Sequence, residues 1–293
     1  MRRPDDVRLR RAAGPGLRPK PALSLARALS KLGVCSRREA ERWIAAGRVE
    51  VNGAVERSSG RWIDPARDRL VVDGRRVEDR TTRVVLALHK PEGVVTTRVD
   101  PGGRPTVYDA LGDVGRLAPA DAPAQPGWVF PVGRLDRDTS GLLILTNDHR
   151  LGERLTSPEH HVPKTYHARV RGLPDAEALR ALREGLPLDD GKATRPARVR
   201  VLGTPRPRPG APADPGSTWL EIVLTEGRNR QVRRMGAAVG HEVVELVRVR
   251  IGRLGLGDLA PGEWRELGPE EVERLVARPP GHCAYDGSLP WRP

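Results

Sequence analysis

The run Leu142-Leu143-Ile144-Leu145 constrains this chain more than any other stretch, because it is wholly apolar and short. It is fed by a glycine-flanked polar loop, Gly133-Arg134-Leu135-Asp136-Arg137-Asp138-Thr139-Ser140-Gly141. A short apolar run bounded by turn residues reads as a strand inside a core. The loop's charged side chains are then held at the edge of that core. Residue chemistry alone leaves two readings of this loop: ordinary solvated charges, or a site built against the core.

From Val84 to about Val276, short strands and helices alternate. Apolar spacing places strands at Val84–Leu88, Leu142–Thr146, Thr165–Val170, Ala197–Val201, Trp219–Leu224 and Val243–Ile251. It places helices at His149–Leu155, Asp175–Glu184 and Asn229–Val239. Several strands alternate strictly, which favours sheets with one covered face. The expectation is an α+β domain on a mixed or antiparallel sheet, not a doubly wound nucleotide fold. Neither GxxxxGK[ST] nor GxGxxG occurs, so no ATP or dinucleotide site is implied. Two Pro/Ala/Gly-rich segments, about 117–127 and 204–217, read as exposed loops.

Ahead of this domain, Leu25, Leu29 and Leu32 recur at helical spacing, and Gly33 ends that helix. Ser36 starts a second helix with Glu39 three residues on, Ala40, Trp43 and Ile44 as its apolar stripe, and Gly47 as its stop. Arg37, Arg38 and Arg42 take its polar side, where a basic face suits phosphate. Short strands follow, with turns at Asn52-Gly53 and Asp73-Gly74. The expected organisation is a disordered basic arm (1–22), a small α/β module (23–80), the larger domain (81–278) and an irregular tail (279–293).

Composition narrows the partner. The formal net charge is +13, carried by 51 basic residues of which only five are lysine. Codon bias can favour arginine, but it does not explain why acidic residues leave the charge unbalanced. A surface this positive points to nucleic acid. Aromatic residues are only 3%, too sparse for a stacking platform. Two distant cysteines and seven histidines without ligand spacing imply neither a disulfide framework nor a metal site. No apolar run approaches the roughly 20 residues of a membrane span, and no signal peptide is evident, so the expected location is cytoplasmic.

Three ordered segments carry a resemblance. Gly133-Arg134-Leu135-Asp136, with Thr139-Ser140-Gly141-Leu142-Leu143 just beyond, resembles the catalytic loop of RNA pseudouridine synthases. Lys164-Thr165-Tyr166 resembles that family's Lys-x-Tyr element, and Glu226–Met235 its third motif. His89-Lys90-Pro91-Glu92-Gly93 resembles its Asn-Lys-Pro-x-Gly approach strand, with His89 in place of asparagine at a position without a chemical role. Leu25–Val77 resembles the small RNA-binding module first recognised in ribosomal protein S-four, through Leu29, Leu32, Gly33, Ser36, Arg37, Ala40, Ile44, Gly47, Val49, Val51, Asn52 and Gly53. The combination is similar to bacterial ribosomal-RNA pseudouridine synthases of the RsuA-like type.

The resemblance implies a pseudouridine synthase fold, with a mixed, largely antiparallel central sheet flanked by helices, behind the α/β RNA-binding module. It implies that Asp136 is a nucleophile, with Arg233 as the cation that keeps it ionised and Tyr166 supporting the uracil ring. Arg134 would fill the space left by a flipped base, and Asp138 would be a surface or structural residue. Lys164, Arg228 and Arg230, with Arg37, Arg38 and Arg42, would contact phosphates. Isomerising uridine transfers no group to a second molecule and oxidises nothing, so no cofactor and no metal are expected. Whether the carboxylate attacks the sugar or adds to the base stays open. The expected partner is ribosomal RNA or a ribosomal subunit precursor, with no membrane and a monomeric enzyme. Trp219–Met235 and Phe130–Asp148 look closer to large-subunit members, and Thr156–Tyr166 with Gly240–Leu246 to the small-subunit member, with large-subunit RNA favoured. The rival readings are a catalytically inactive RNA-binding assembly protein and a metal-dependent nuclease.

Overall fold

A computed structural model of the chain describes residues 23–65, 67–77, 83–112, 129–203 and 216–277. The expected basic arm and the 279–293 tail lie outside the described residues, as do 78–82, 113–128 and 204–215, which hold most of the expected linker and Pro-rich loops. The described residues form two compact units, a small one of residues 23–30 and 37–77 and a larger one of residues 31–36 and from 83 onward.

In the small unit, β1 (Leu23–Ser24) runs straight into α1 (Leu25–Lys31), which ends at Gly33 in left-handed backbone. α2 (Arg37–Ala45) buries Ala40 and Ile44 and leaves Arg37, Arg38 and Arg42 exposed. β2 (Val49–Val51) and β3 (Ala54–Glu56) meet at Asn52-Gly53, with φ of 56° and 83°. Those angles are the tight hairpin turn that Asn and Gly adopt with least strain. β4 (Trp62–Ile63) pairs with β1. β5 (Leu70–Val72) and β6 (Arg75–Arg76) meet at the equivalent Asp73-Gly74 turn, giving a sheet in the order β3-β2-β5-β6.

The larger unit begins with β7 (Val85–Lys90), α3 (Val107–Leu111), β8 (Phe130–Pro131), β9 (Ser140–Thr146) and α4 (His149–Thr156). Next come β10 (Lys164–Arg171), α5 (Ala176–Glu184), β11 (Arg198–Gly203), β12 (Ser217–Leu224) and α6 (Gln231–Ala238). It ends with β13 (Val243–Ile251), β14 (Leu254–Gly255), β15 (Trp264–Glu266) and α7 (Pro269–Val276). The strands form one sheet in the order β11-β12-β10-β13-β9-β7-β15, with β8 on β9 and β14 on β13. Among the described strands only β9 and β13 run parallel. The sheet is therefore mixed and largely antiparallel, flanked by helices, as the sequence predicts.

The apolar run owes its lack of alternation to cover on both faces. Leu143 and Leu145 pack with Leu86, Leu88, Val107 and Leu111, under α3. Leu142 and Ile144 pack on the opposite side with Ala87, Leu151, Leu155 and Leu275, under α4 and α7. Leu135 joins the first of these clusters, so the residue before Asp136 is a core side chain. α3 and α7 are not among the helices expected from spacing. α3 is short and is held by a reciprocal cap, in which Asp109 accepts from the Thr106 backbone N–H at 2.8 Å and its own N–H donates to the Thr106 hydroxyl at 3.3 Å. α7 starts on Pro269, whose fixed φ suits the first helical turn.

Candidate active site

The polar loop 133–140 lies between β8 and β9, where β13 comes alongside β9. Register puts Lys90 on β7 opposite Gly141 on β9, Gly141 opposite Arg248 on β13, and Arg248 opposite Tyr166 on β10. These four residues form one cross-strand row, and residues directly opposite share a face of the sheet. Gly141 has φ +108°, and a Cβ there would lie 2.3 Å from the Arg248 carbonyl oxygen. Only glycine lets β13 approach so closely at the point where the loop enters the sheet.

A cavity of about 480 Å³ opens at the Tyr166 and Arg248 end of this row, in the size range of small-molecule sites. Asp136, Tyr166, Arg134, Lys164, Arg230 and Arg248 all line it. The loop is pinned behind its carboxylates. Buried Thr96 donates its hydroxyl to the Leu135 carbonyl at 2.8 Å and accepts from the Leu135 N–H at 3.2 Å. The Gly93 N–H donates to the Arg137 carbonyl at 2.8 Å. Asp136 is thus carried on a braced backbone, with its side chain about one-third exposed at 35%.

The arginines do not fall as expected. Arg233 pairs with Asp138 rather than Asp136: its Nε lies 3.2 Å from Asp138 Oδ2, and its Nη2 donates to the Asp138 backbone carbonyl at 2.6 Å. Its Nη1 donates to the Val243 carbonyl at 2.7 Å. Arg230 grips Asp138 with two hydrogen bonds of 3.1 and 3.0 Å, and its Nη1 is 3.9 Å from Asp136 Oδ2. Asp138 is therefore the anchor of the arginine segment, the structural one of the two roles expected for it. Partial burial raises its carboxyl pKa, but the Arg230 hydrogen bonds and the Arg233 and Arg230 charges outweigh that and hold it below the usual value. Arg230 itself sits in left-handed backbone at φ 49°, immediately before α6, a conformation that costs a non-glycine residue about 1 kcal/mol.

Arg228 is held within its own segment. Its guanidinium donates to the carbonyls of Lys192 and Ala193 at 2.9 and 2.7 Å, which ties its loop to the neighbouring turn. Gln231 completes this brace, accepting from the Arg228 N–H at 3.0 Å and donating to Glu226 at 2.6 Å. Lys164 faces the cavity and donates to the Leu155 carbonyl at 3.2 Å. Burial, assisted by the Arg248 charge, pushes its pKa down to about 8. Burial likewise pushes Lys90 to about 8, against the opposing pull of Asp138, Glu92 and Asp136.

Three residues of the site are absent from the sequence-based set of candidates: Thr96, Lys90 as a charge, and Arg248. Arg248 shares the alternate positions of β13 with Leu246 and Arg250, so spacing gives it no distinction. In the structure it is only 4% exposed and donates from Nε to the Leu142 carbonyl at 2.7 Å. Among the described residues, no group of three or more His, Cys, Asp or Glu side chains is arranged to hold a metal, as a two-metal nuclease would need. Also among them, no helix is long and apolar enough to cross a membrane.

Residues 84–238 match the family model described as RNA pseudouridylate synthase. The ribosomal large subunit pseudouridine synthase B of Bacillus subtilis is 40% identical over 253 residues, covering 86% of this chain and 95% of that one. The chain belongs to the RNA pseudouridylate synthase family. The synthase is an isomerase, and residues 24–61 of its small unit match the S4 domain model. The Pseudomonas aeruginosa protein of the same name as the Bacillus one is 41% identical, covering 86% of the synthase and 61% of its own length. A solved structure titled as a pseudouridylate synthase superposes with a TM-score of 0.57 at 29% identity, over 86% of the synthase and 98% of that chain.

Proposed function

We propose that this synthase converts a uridine of ribosomal RNA to pseudouridine with Asp136 as the nucleophile, and that it is of the RsuA-like type. The observation that carries the reading is the shared cavity. Asp136 and Tyr166 line one space of nucleoside size, floored and rimmed by cations. Tyr166 supports the flipped uracil ring, while Asp136 attacks either the sugar or the ring. Arg230, rather than Arg233, is the guanidinium nearest the nucleophile, with its Nη1 3.9 Å from Asp136 Oδ2. Arg233 acts one step back, by fixing Asp138 and with it the loop.

Arg134 is exposed at the cavity and takes the space that a flipped base vacates. Lys164 and Arg230 meet the phosphates beside the target, and Arg37, Arg38 and Arg42 meet phosphates elsewhere on the RNA. Arg228, with its donors turned to carbonyls, serves the loop more than the RNA. The names of the Bacillus and Pseudomonas relatives support large-subunit RNA as the substrate.

The test is incubation of the full chain with separate large- and small-subunit rRNA transcripts, without added metal, followed by pseudouridine mapping. One or a few modified positions in large-subunit RNA are expected. Modification of small-subunit RNA alone would overturn the substrate assignment. No pseudouridine in either RNA or in assembled subunits, from folded protein, would overturn the reading.

A further inference from the structure

The site holds more buried positive charge than its two aspartates require. Lys90, Arg248 and Lys164 gather along and beside one row of the sheet, and Arg230 and Arg233 are already engaged with Asp138. Arg248 is the unusual member. Its Nε is satisfied by the Leu142 carbonyl, yet its Nη2 is buried and has no hydrogen-bond partner among the described residues. A buried donor without a partner is costly, and a charged one more so. Such a group is expected where a ligand supplies the acceptor. Arg248 lines the cavity, opposite Tyr166 in register and on the same face of the sheet.

Resting on the reading above, the geometry points to Arg248 as the residue that hydrogen-bonds a carbonyl oxygen of the flipped uracil and stabilises the negative charge that gathers there. The chemistry favours a base oxygen over a phosphate. Phosphates stay with the RNA backbone at the cavity mouth, where Arg134 and Arg230 are exposed. The base goes to the floor, where Arg248 lies beside the Tyr166 ring. If Asp136 attacks the sugar, the N1–C1′ pair of electrons passes to the ring and spreads over O2 and O4. If Asp136 adds to C6, the electron pair of the C5–C6 double bond moves through C5 and C4 to O4. Either route loads a ring carbonyl oxygen with charge. A guanidinium fixed in a water-poor pocket meets that charge without rearrangement.

The test pairs enzyme and substrate changes on a short transcript around the uridine that the wild-type chain converts. Arg248→Met is expected to slow single-turnover conversion at saturating RNA by about 100-fold, the usual effect of removing one such donor. The RNA dissociation constant should stay within about twofold, and Arg248→Lys should restore part of the rate. Replacing target O2 or O4 with sulfur, a weaker acceptor, should slow wild type. For one of the two oxygens, the same replacement should add little to the Arg248→Met defect, because both changes remove the same hydrogen bond. Multiplicative effects at both oxygens, or an affinity loss that equals the rate loss, would overturn the proposal. So would an Arg248→Lys variant that melts like wild type but is as slow as Arg248→Met. Should Arg248→Met not fold, the sulfur series in wild type and Arg248→Lys decides alone. If the wild-type chain makes pseudouridine but these effects multiply, only the Arg248 assignment falls. If Asp136→Asn retains activity, the nucleophile assignment falls instead.

Discussion

Asp138 and Arg230 are joined by two parallel hydrogen bonds of 3.0 and 3.1 Å, while Asp136, two residues earlier, lies 3.9 Å from the same guanidinium. One aspartate is committed to holding the loop, and its neighbour is left facing the cavity. The loop from Gly133 to Ser140 thereby divides two tasks between two like residues. Asp138 ties the loop to α6, and Asp136 is the carboxylate that lines the cavity.

Removing the holding residue should therefore appear first in stability. Asp138→Asn leaves Arg233, whose side chain is only 13% exposed, without its carboxylate. Asp138 is itself 36% exposed, so screening keeps the loss below that of a fully buried pair, at about 1–2 kcal/mol. Its folded pKa is depressed, so this stability is fully present above the unfolded value near 3.9. It is lost as pH falls through the lower folded value. Chemical denaturation of wild type and variant should differ by a constant amount above about pH 5 and converge below about pH 4. A gap that widens on acidification would contradict the pairing.

Lys164 offers a pH test of RNA binding. In the free protein burial sets its pKa at about 8, and a nearby phosphate would raise it. Above about pH 8 the free enzyme must then take up a proton to bind. Wild-type affinity for rRNA should weaken between pH 7 and 9, whereas that of Lys164→Met should change less over the same range. Parallel pH dependence in filter binding of the two proteins would remove Lys164 from the phosphate contacts.

Gly141 and Gly53 both have positive φ but differ in what surrounds them. Gly53→Ala meets nothing within 4 Å and should cost about 1 kcal/mol, the backbone penalty alone. Gly141→Ala drives a Cβ into the Arg248 backbone at 2.3 Å, separating β9 from β13. Its cost should exceed about 3 kcal/mol, in the range reserved for core disruption. Equal melting temperatures for the two variants would refute the close strand approach.

The arginines of α2 should act through salt. Replacing Arg37, Arg38 and Arg42 together by alanine is expected to lower the slope of log affinity against log salt by about 2–3, at roughly 0.7–0.9 for each phosphate no longer neutralised. An unchanged slope would show that this exposed face does not meet RNA.

These contrasts mark what residue order alone can reveal. Gly33, Asn52-Gly53 and Asp73-Gly74 are legible because their backbone demands are local. Helix α6 is legible from its period, and β9 from an apolar run that matches cover on both faces. α3 is not, since five residues hold barely more than one turn and its cap at Thr106 and Asp109 is easily taken for loop chemistry. The Asp136 loop is recognisable as a motif, but the choice of Arg233 between two carboxylates two residues apart depends on how distant segments of the chain meet. Arg248 is invisible for a related reason. Its importance comes from the parallel pairing of β9 and β13, which joins distant segments of the chain and leaves no local trace.

The most direct measurement is single-turnover pseudouridine formation by Asp136→Asn, on the rRNA that wild type modifies, beside its RNA affinity. The substitution keeps the shape of the side chain and removes the carboxylate of the proposed nucleophile. Product should be undetectable while RNA binding stays within about threefold, since Asp136 is the proposed nucleophile and the proposed phosphate contacts lie elsewhere. A variant that still forms pseudouridine at half the wild-type rate would contradict the account, whatever its affinity.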